Sequence, residues 1–146
     1  YQRRHLEPGG HGAALAVDNQ SSTKYLHRKG GAMATGFQVA PLIGSTVVAG
    51  LTFTSANDDY SRDPISFELS GSNASIDGPY ELIASGDIVD FSQETVWPRF
   101  TRTTTPIEFE NTVAYKFYQI VFPSLRDGND GNMQIAEVEL IGTPAQ

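Results

Sequence analysis

The sequence of 146 residues predicts an all-β domain built as a sandwich or a barrel. Short segments alternate between apolar and polar residues with a period of two. Clusters of glycine, proline, asparagine and aspartate separate these segments, as turns do. No segment keeps the helical period of 3.6 residues over three turns. Many short strands at this spacing are typical of sandwiches and barrels.

The predicted strands follow one another along most of the chain. They comprise residues 36–39, 46–54, 65–71, 80–84, 106–109, 116–122 and 133–141. Turns are predicted at residues 57–59, 77–79, 85–87 and 127–132. In the second strand, Val47, Ala49, Leu51 and Phe53 fall on one face, which predicts a regular alternation.

The last predicted strand contains an irregularity. Met133 and Ile135 have one parity, whereas Val138 and Leu140 have the other. A strand changes phase in this way at a bulge, which redirects a side chain or a carbonyl. The alternative is an ordinary irregularity at a sheet edge, with Glu137 in solvent.

Composition excludes several classes of function. The formal net charge of −7 argues against binding to nucleic acid or to an anionic membrane surface. The absence of cysteine excludes disulfides, thiolate zinc sites and cysteine nucleophiles. No apolar run is long enough to cross a bilayer. Residues 1–12 are polar, basic and rich in glycine, so we predict a tail or linker there and a folded domain over residues 13–143.

Four segments carry a family resemblance. They are AVDNQSSTKY at 16–25, FELSGSN at 67–73, YKFYQI at 115–120 and MQIAEVELIG at 133–142. In this order they resemble the discoidin-like family, also called coagulation factor V/VIII C-type or galactose-binding-domain-like. The sequence departs from the family pattern at Asn19, Tyr25 and Lys116. The resemblance implies an eight-stranded jelly-roll β-sandwich with adjacent termini.

The same resemblance implies a structural Ca²⁺, because many carbohydrate-binding members hold one calcium beside their termini. Carried over residue by residue, the ligands are the Asp18 carboxylate, the Gln20 carbonyl, the Thr23 carbonyl and hydroxyl, the Ala136 carbonyl and the Glu137 carboxylate. Calcium takes about 6–8 hard oxygens of this kind. The change of phase near residue 136 points to the same place. The alternative is that Asp18 is a turn residue and Thr23 a strand residue. Residues 127–132 do not fit the spacing of an EF-hand loop.

Sugar-binding members of the family bind their ligands in loops at one end of the sandwich. Hydroxyl groups are bound there by arginine and by asparagine or histidine, and an aromatic ring supports the apolar face of the sugar. The matching candidates in this chain are Asn57, Tyr60, Arg62, Trp97, Arg99, His27 and Asn132.

Several of these candidates also have a structural interpretation, and for Asn57 it is a turn formed with Asp58. Arg62 would pair with a neighbouring aspartate, and Trp97 would close one end of the core. His27 lies one position beyond the histidine of some family members, and Asn132 would be a solvated turn residue.

Catalysis has little support in the sequence. Two of the three histidines, His5 and His11, lie in the predicted tail. There is no Gly-x-Ser-x-Gly elbow, no His-Glu-x-x-His motif and no phosphate-binding loop. Carboxylates for glycoside hydrolysis are present, but nothing distinguishes one as acid or nucleophile.

We therefore expect a non-catalytic carbohydrate-binding module from a secreted bacterial protein. It would be monomeric and would direct an attached polysaccharide-degrading enzyme to a galactose-containing polysaccharide. A marine galactan of the sulfated or agar type would suit Arg62, Arg99 and Arg102 if these arginines cluster. The alternatives are a protein or cell-surface adhesion domain of the same fold, and a small stand-alone polysaccharide lyase or hydrolase.

Overall fold

The fold was determined as a computed structural model, which describes residues 2–4, 25–27, 35–41, 45–57, 60–127 and 133–144. The strands are β1 Gln2–Arg4, β2 Tyr25–His27, β3 Thr35–Ala40, β4 Thr46–Thr54, β5 Ser66–Ser72, β6 Glu81–Asp87, β7 Ile107–Glu108, β8 Phe117–Phe122, β9 Met133–Ile135 and β10 Glu137–Pro144. A 3₁₀ turn occupies Tyr60–Arg62. Among the described residues, no helix has the length and hydropathy of a membrane span.

All the strand pairs are antiparallel. A five-stranded sheet has the order β1-β3-β8-β5-β6, and a three-stranded sheet has the order β10-β4-β7. A separate pair joins β2 and β9. The prediction of an all-β fold is therefore confirmed.

The core lies between the two larger sheets. Tyr118, Ile120 and Phe122 of β8 are buried, while the residues between them are partly exposed. Phe53 of β4 contacts Phe122 edge to face, with ring centroids 5.9 Å apart. A cavity of about 10 Å³ lies between β3, β5, β8 and β10, with room for at most one water.

The alternation predicted for β4 holds only in its second half. Leu51 and Phe53 are buried, but Ala49 is exposed. Consecutive residues of β10 pair with Gly50 and Val48, which leaves Ala49 as an extra residue in β4. This bulge reverses the face on which side chains point, so the predicted regular alternation was wrong there.

The predicted change of phase in the last strand is real and has a topological cause. β9 pairs with β2, and β10 pairs with β4, so the chain passes between sheets at Ala136. The backbone N–H of Ala136 donates to the Thr54 carbonyl at 2.9 Å. The chain therefore stays attached to β4 as it leaves one sheet for the other.

Two predictions about local structure were wrong. Gln2–Arg4, placed in the tail, forms the edge strand β1 beside β3. Residues 85–87, predicted as a turn, complete β6, because each of them pairs with a residue of β5.

Candidate functional site

Three loops meet at one end of the sandwich, which we call the loop end. Their described residues are 55–57 with 60–65, 88–106 and 123–127. Backbone hydrogen bonds bring them together. The Ile65 N–H donates to the Ser124 carbonyl at 3.0 Å, and the Ile88 N–H donates to the Ile65 carbonyl at 2.8 Å. The first loop bonds the second through Ser55 and Thr101. β4, β6 and β8 therefore end near one another, and their following loops are neighbours.

A buried ion pair joins the first two of these loops. Asp63 is 1% exposed, and its two carboxylate oxygens accept from the two terminal nitrogens of Arg99 at 2.9 and 2.5 Å. Nη2 of Arg99 also donates to the Trp97 carbonyl at 2.8 Å. This bidentate geometry is the strong form of an arginine–carboxylate contact. It commits the fork of Arg99 to the protein, which favours a structural role over the predicted contact with ligand.

Ser55 ties residues 97–101 to the first loop. Its hydroxyl donates to the Pro98 carbonyl at 2.5 Å and accepts from the backbone N–H of Thr101 at 3.1 Å. Its own N–H donates to the Thr101 carbonyl at 3.2 Å, and the Trp97 indole donates to the same oxygen at 2.9 Å. Both loops therefore share one hydrogen-bond network.

Arg126 attaches the third loop. Its Nη1 donates to the carbonyls of Phe91 and Gln93 at 2.9 and 2.6 Å, and its Nη2 donates to the Glu94 carbonyl at 2.8 Å. Its backbone N–H donates to the Asp63 carbonyl at 2.8 Å. Three loops without regular structure are thus fixed to one another by polar groups.

A second buried carboxylate, that of Asp90, orders the far part of the long loop. It accepts from the backbone N–H groups of Thr104 and Thr105 at 2.7 and 2.9 Å and from the Thr105 hydroxyl at 2.5 Å. Burial raises the pKa of Asp90, but these hydrogen bonds outweigh burial and leave the pKa below its ordinary value. The carboxylate is therefore ionised and acts as an anchor.

Two exposed aromatic rings lie on this scaffold. Tyr60 is 51% exposed in the first loop, and Phe100 is 42% exposed in the second. The Phe100 N–H donates to the Ala56 carbonyl at 3.3 Å, so Phe100 lies beside the exposed Asn57. Arg62, partly exposed, belongs to the same first loop. The loop end thus presents an amide, a guanidinium and two rings, which are the groups that recognise a sugar.

Trp97, in contrast, packs inward. It is partly buried, and its ring lies 6.4 Å from that of Phe91 against the core. This position agrees with the interpretation of Trp97 as a residue that closes one end of the core.

The loop arginines do not share a single partner. Arg99 pairs with Asp63, whereas Arg102 lies 3.3 Å from Glu139 on β10. The Glu139 carboxylate also accepts from Thr52 of β4. A sulfate site formed by Arg99 and Arg102 together is therefore not favoured.

The remaining predicted residues are only partly covered. The backbone of His27 ends β2, opposite Met133. Asn132 and three of the predicted calcium ligands, Asp18, Gln20 and Thr23, lie outside the described residues.

The other two predicted calcium ligands lie where β9 gives way to β10. Ala136 is buried and Glu137 is partly exposed. An ion there would sit beside the point where the chain changes sheets, because Glu137 pairs with Thr54 of β4. The location suits a fastening role and stays a prediction.

Phe100 and Asp63 were not identified from the sequence. Phe100 carries no motif, since a phenylalanine in a polar loop is unremarkable by composition. From the sequence, Asp63 was one of two aspartates that could pair with Arg62 and one of several carboxylates available for hydrolysis, without a structural role of its own. The Arg-Asp-Pro sequence at 62–64 signals a turn, but it does not show which cation the aspartate will meet.

No protein-family model matches the chain, and no curated protein matches its sequence. Solved structures do match. A CBM32 module of a Clostridium perfringens GH89 protein, in complex with GalNAc-β-1,3-galactose, has a TM-score of 0.65 and 15% identity. The match covers 99% of this chain and 93% of that one.

Two further structures match over 99% of this chain. An F5/8 type C domain from Bacteroides fragilis has a TM-score of 0.69 and 12% identity, with 91% of that chain covered. Clostridium perfringens ZmpB, solved with two CBM32 domains and an M60 catalytic domain, has a TM-score of 0.70 and 14% identity, with 14% covered. The chain therefore has the discoidin-like, F5/8 type C β-sandwich fold.

Proposed function

We propose that the chain is a non-catalytic carbohydrate-binding module that recognises a galactose-containing glycan through the loop end. The observation that carries this proposal is the placing of Asn57, Tyr60 and Phe100 on adjacent, mutually bonded loops. A sugar offers hydroxyl groups to the amide and a C–H face to an aromatic ring.

The small volume of the cavity between β3, β5, β8 and β10 supports a site on the surface rather than in that part of the interior. The fold supports the ligand class, because one similar structure was solved with GalNAc-β-1,3-galactose. The excess of acidic residues suits a neutral sugar better than a polyanion. Sulfated galactans are therefore a weaker expectation than neutral ones.

The role we infer is targeting. A module of this kind raises the effective concentration of a tethered enzyme at its polysaccharide. The ZmpB chain, which joins two such domains to an M60 catalytic domain, is a precedent for the arrangement. Secretion from a bacterium and a monomeric state belong to the same proposal.

Affinity electrophoresis through gels containing a galactan or a glucan tests the ligand class. We expect the galactan to retard the wild-type chain, and we expect Tyr60→Ala and Phe100→Ala each to weaken binding about tenfold by removing a ring contact. Leu82→Ala is the matched control, because Leu82 is 64% exposed near the start of β6, away from the loop end.

The outcome against the proposal is a wild-type chain that no glycan retards. Equal weakening by Leu82→Ala would place the binding surface elsewhere. Retention by cells but not by polysaccharide would favour an adhesion domain, and turnover of the polysaccharide would favour an enzyme.

We also propose a structural Ca²⁺ held by Asp18, Gln20, Thr23, Ala136 and Glu137. A ligand that binds only the folded state stabilises it. We expect a chelator to lower the melting temperature by about 5 °C.

The Glu137→Gln variant should lose most of that response, because it lacks one of the two carboxylates. Glu139→Gln, two residues away on the exposed part of β10, is its control and should respond as the wild type does. A chelator without effect on the wild type contradicts the calcium proposal and leaves the glycan proposal standing.

A further inference from the structure

Phe100 has an unusual backbone conformation. Its φ is 52°, and it is the one non-glycine residue with positive φ in the described part of the chain. In this left-handed region the Cβ atom crowds the following carbonyl, and the cost falls on every residue except glycine. Burial of the ring offsets this unfavourable conformation only in part, because Phe100 is 42% exposed.

The neighbours of Phe100 enforce this conformation. Ser55 bonds both Pro98 and Thr101, and Ala56 accepts from Phe100 itself. The hydroxyl of Thr101 donates back to the Arg99 carbonyl at 2.8 Å. The residues on both sides of Phe100 are therefore held, while Phe100 itself stays 42% exposed.

The Asp63–Arg99 ion pair also holds the segment that contains Phe100. Arg99 directly precedes Phe100, and its guanidinium bridges the Asp63 carboxylate and the Trp97 carbonyl. An almost fully buried carboxylate is tolerated only when it is paired, so Asp63 holds Arg99 inward. With Arg99 held inward, the chain turns at Phe100.

We propose that Asp63 and Arg99 are a positioning pair that forms the binding loop before ligand arrives, holding Phe100 left-handed with its ring outward. This inference rests on the proposed glycan-binding function. Binding is stronger when the surface needs no ordering, and backbone strain persists only where the surrounding structure enforces it. The pair touches no ligand itself.

The test compares two buried carboxylates in the same region. Asp63→Asn keeps the shape of the side chain and removes the charge that holds Arg99. Asp90→Asn makes the same change in the carboxylate that accepts from Thr104 and Thr105. The measured quantities are the galactan association constant, the melting temperature and the emission maximum of Trp97, the single tryptophan.

We expect Asp63→Asn to weaken galactan binding by about tenfold or more, on the scale of other preorganised contacts. We also expect the Trp97 emission to move to longer wavelength, because its segment loosens. Asp90→Asn loosens residues 104 and 105 rather than the segment that contains Phe100, so it should lower the melting temperature and weaken galactan binding much less than Asp63→Asn does.

Arg99→Lys is the second variant, and it keeps a cation beside Asp63 in case Asp63→Asn does not fold. A lysine lacks the fork, so we expect about threefold to tenfold weaker binding. Phe100→Gly should melt about 2–4 °C above Phe100→Ala, because only glycine accepts positive φ freely.

Three results would overturn the positioning role. They are wild-type affinity in both Asp63→Asn and Arg99→Lys, equal weakening by Asp90→Asn, and a higher melting temperature for Phe100→Ala than for Phe100→Gly. A wild-type chain that binds no galactan overturns the proposed function instead, and this inference with it.

Discussion

The two ends of the sandwich are held together by different chemistry. At the loop end, a buried ion pair and arginine–carbonyl contacts join loops that have little regular structure. At the opposite end, which we call the tyrosine end, two tyrosines join the strands, and the Tyr115 hydroxyl donates to the exposed Glu81 carboxylate at 3.4 Å. Tyr115 and Tyr118 contact edge to face at 5.9 Å, and Tyr118 donates to the Thr46 carbonyl.

At the tyrosine end, side chains also pack directly on the backbone and bond to it. The Tyr115 ring lies over Gly71, and Asn73 bonds the Ala114 carbonyl and the Lys116 N–H, both at 2.9 Å. None of these contacts leaves a strained residue exposed. Among the described residues, the buried ion pair and the strained non-glycine backbone therefore both lie at the loop end, with the candidate binding groups.

The largest expected effect is at the loop end. Arg99→Ala leaves the Asp63 carboxylate buried without its cation, so we expect a loss of about 3 kcal/mol in the free energy of unfolding. Urea denaturation measures it, and galactan binding should fall as well. A loss below about 1 kcal/mol would show that Asp63 is solvated, and would remove the contrast between the ends.

The sequence predicted the strands better than it predicted either end. Period-two alternation marks a strand because side chains point to opposite faces, and every predicted strand exists. The bulge at Ala49 has no such signal, because it is set by pairing with β10. The short edge strand at Gln2–Arg4 is too brief for a period to show.

The sequence predicted which loops form the candidate site better than it predicted which residues of those loops face solvent. Arg99 and Asp63 are 36 positions apart, and no local pattern relates them. Phe100 was missed because it has a left-handed backbone conformation. Nothing in the sequence predicts that conformation for a phenylalanine. Resemblance located the loops, and only the three-dimensional contacts separated Trp97, which packs inward, from residues that face solvent.

The second effect tests the tyrosine end. In Gly71→Ala the added Cβ would lie 2.4 Å from the Tyr115 ring, so the ring must move. We expect a loss of about 2 kcal/mol in the free energy of unfolding, as is typical of overpacking. Galactan binding, measured at a temperature where the variant is folded, should be unchanged. Weakened binding would mean that the two ends are coupled through the sheets.

The smallest loss of stability is expected for Tyr118→Phe, and the dependence of that loss on pH provides the test. The Tyr118 hydroxyl donates to the Thr46 carbonyl at 2.5 Å, and that oxygen also accepts from the Tyr115 N–H at 2.9 Å. Because Thr46 keeps one partner, we expect a loss of only about 1 kcal/mol at about pH 7, measured by urea denaturation.

Burial raises the pKa of Tyr118 above its ordinary value of 10.0, since the neutral hydroxyl is favoured inside the protein. A raised pKa in the folded state contributes stability that is complete below 10.0 and is lost as pH rises toward the folded value. The wild type should therefore keep its advantage over Tyr118→Phe at pH values below 10.0 and lose it as the pH rises above that value. A difference that is constant with pH would show that Tyr118 ionises as freely in the folded chain as in the unfolded one. The Tyr118 hydroxyl would then be as accessible to water as in the unfolded chain, and the description of the tyrosine end as closely packed would be wrong.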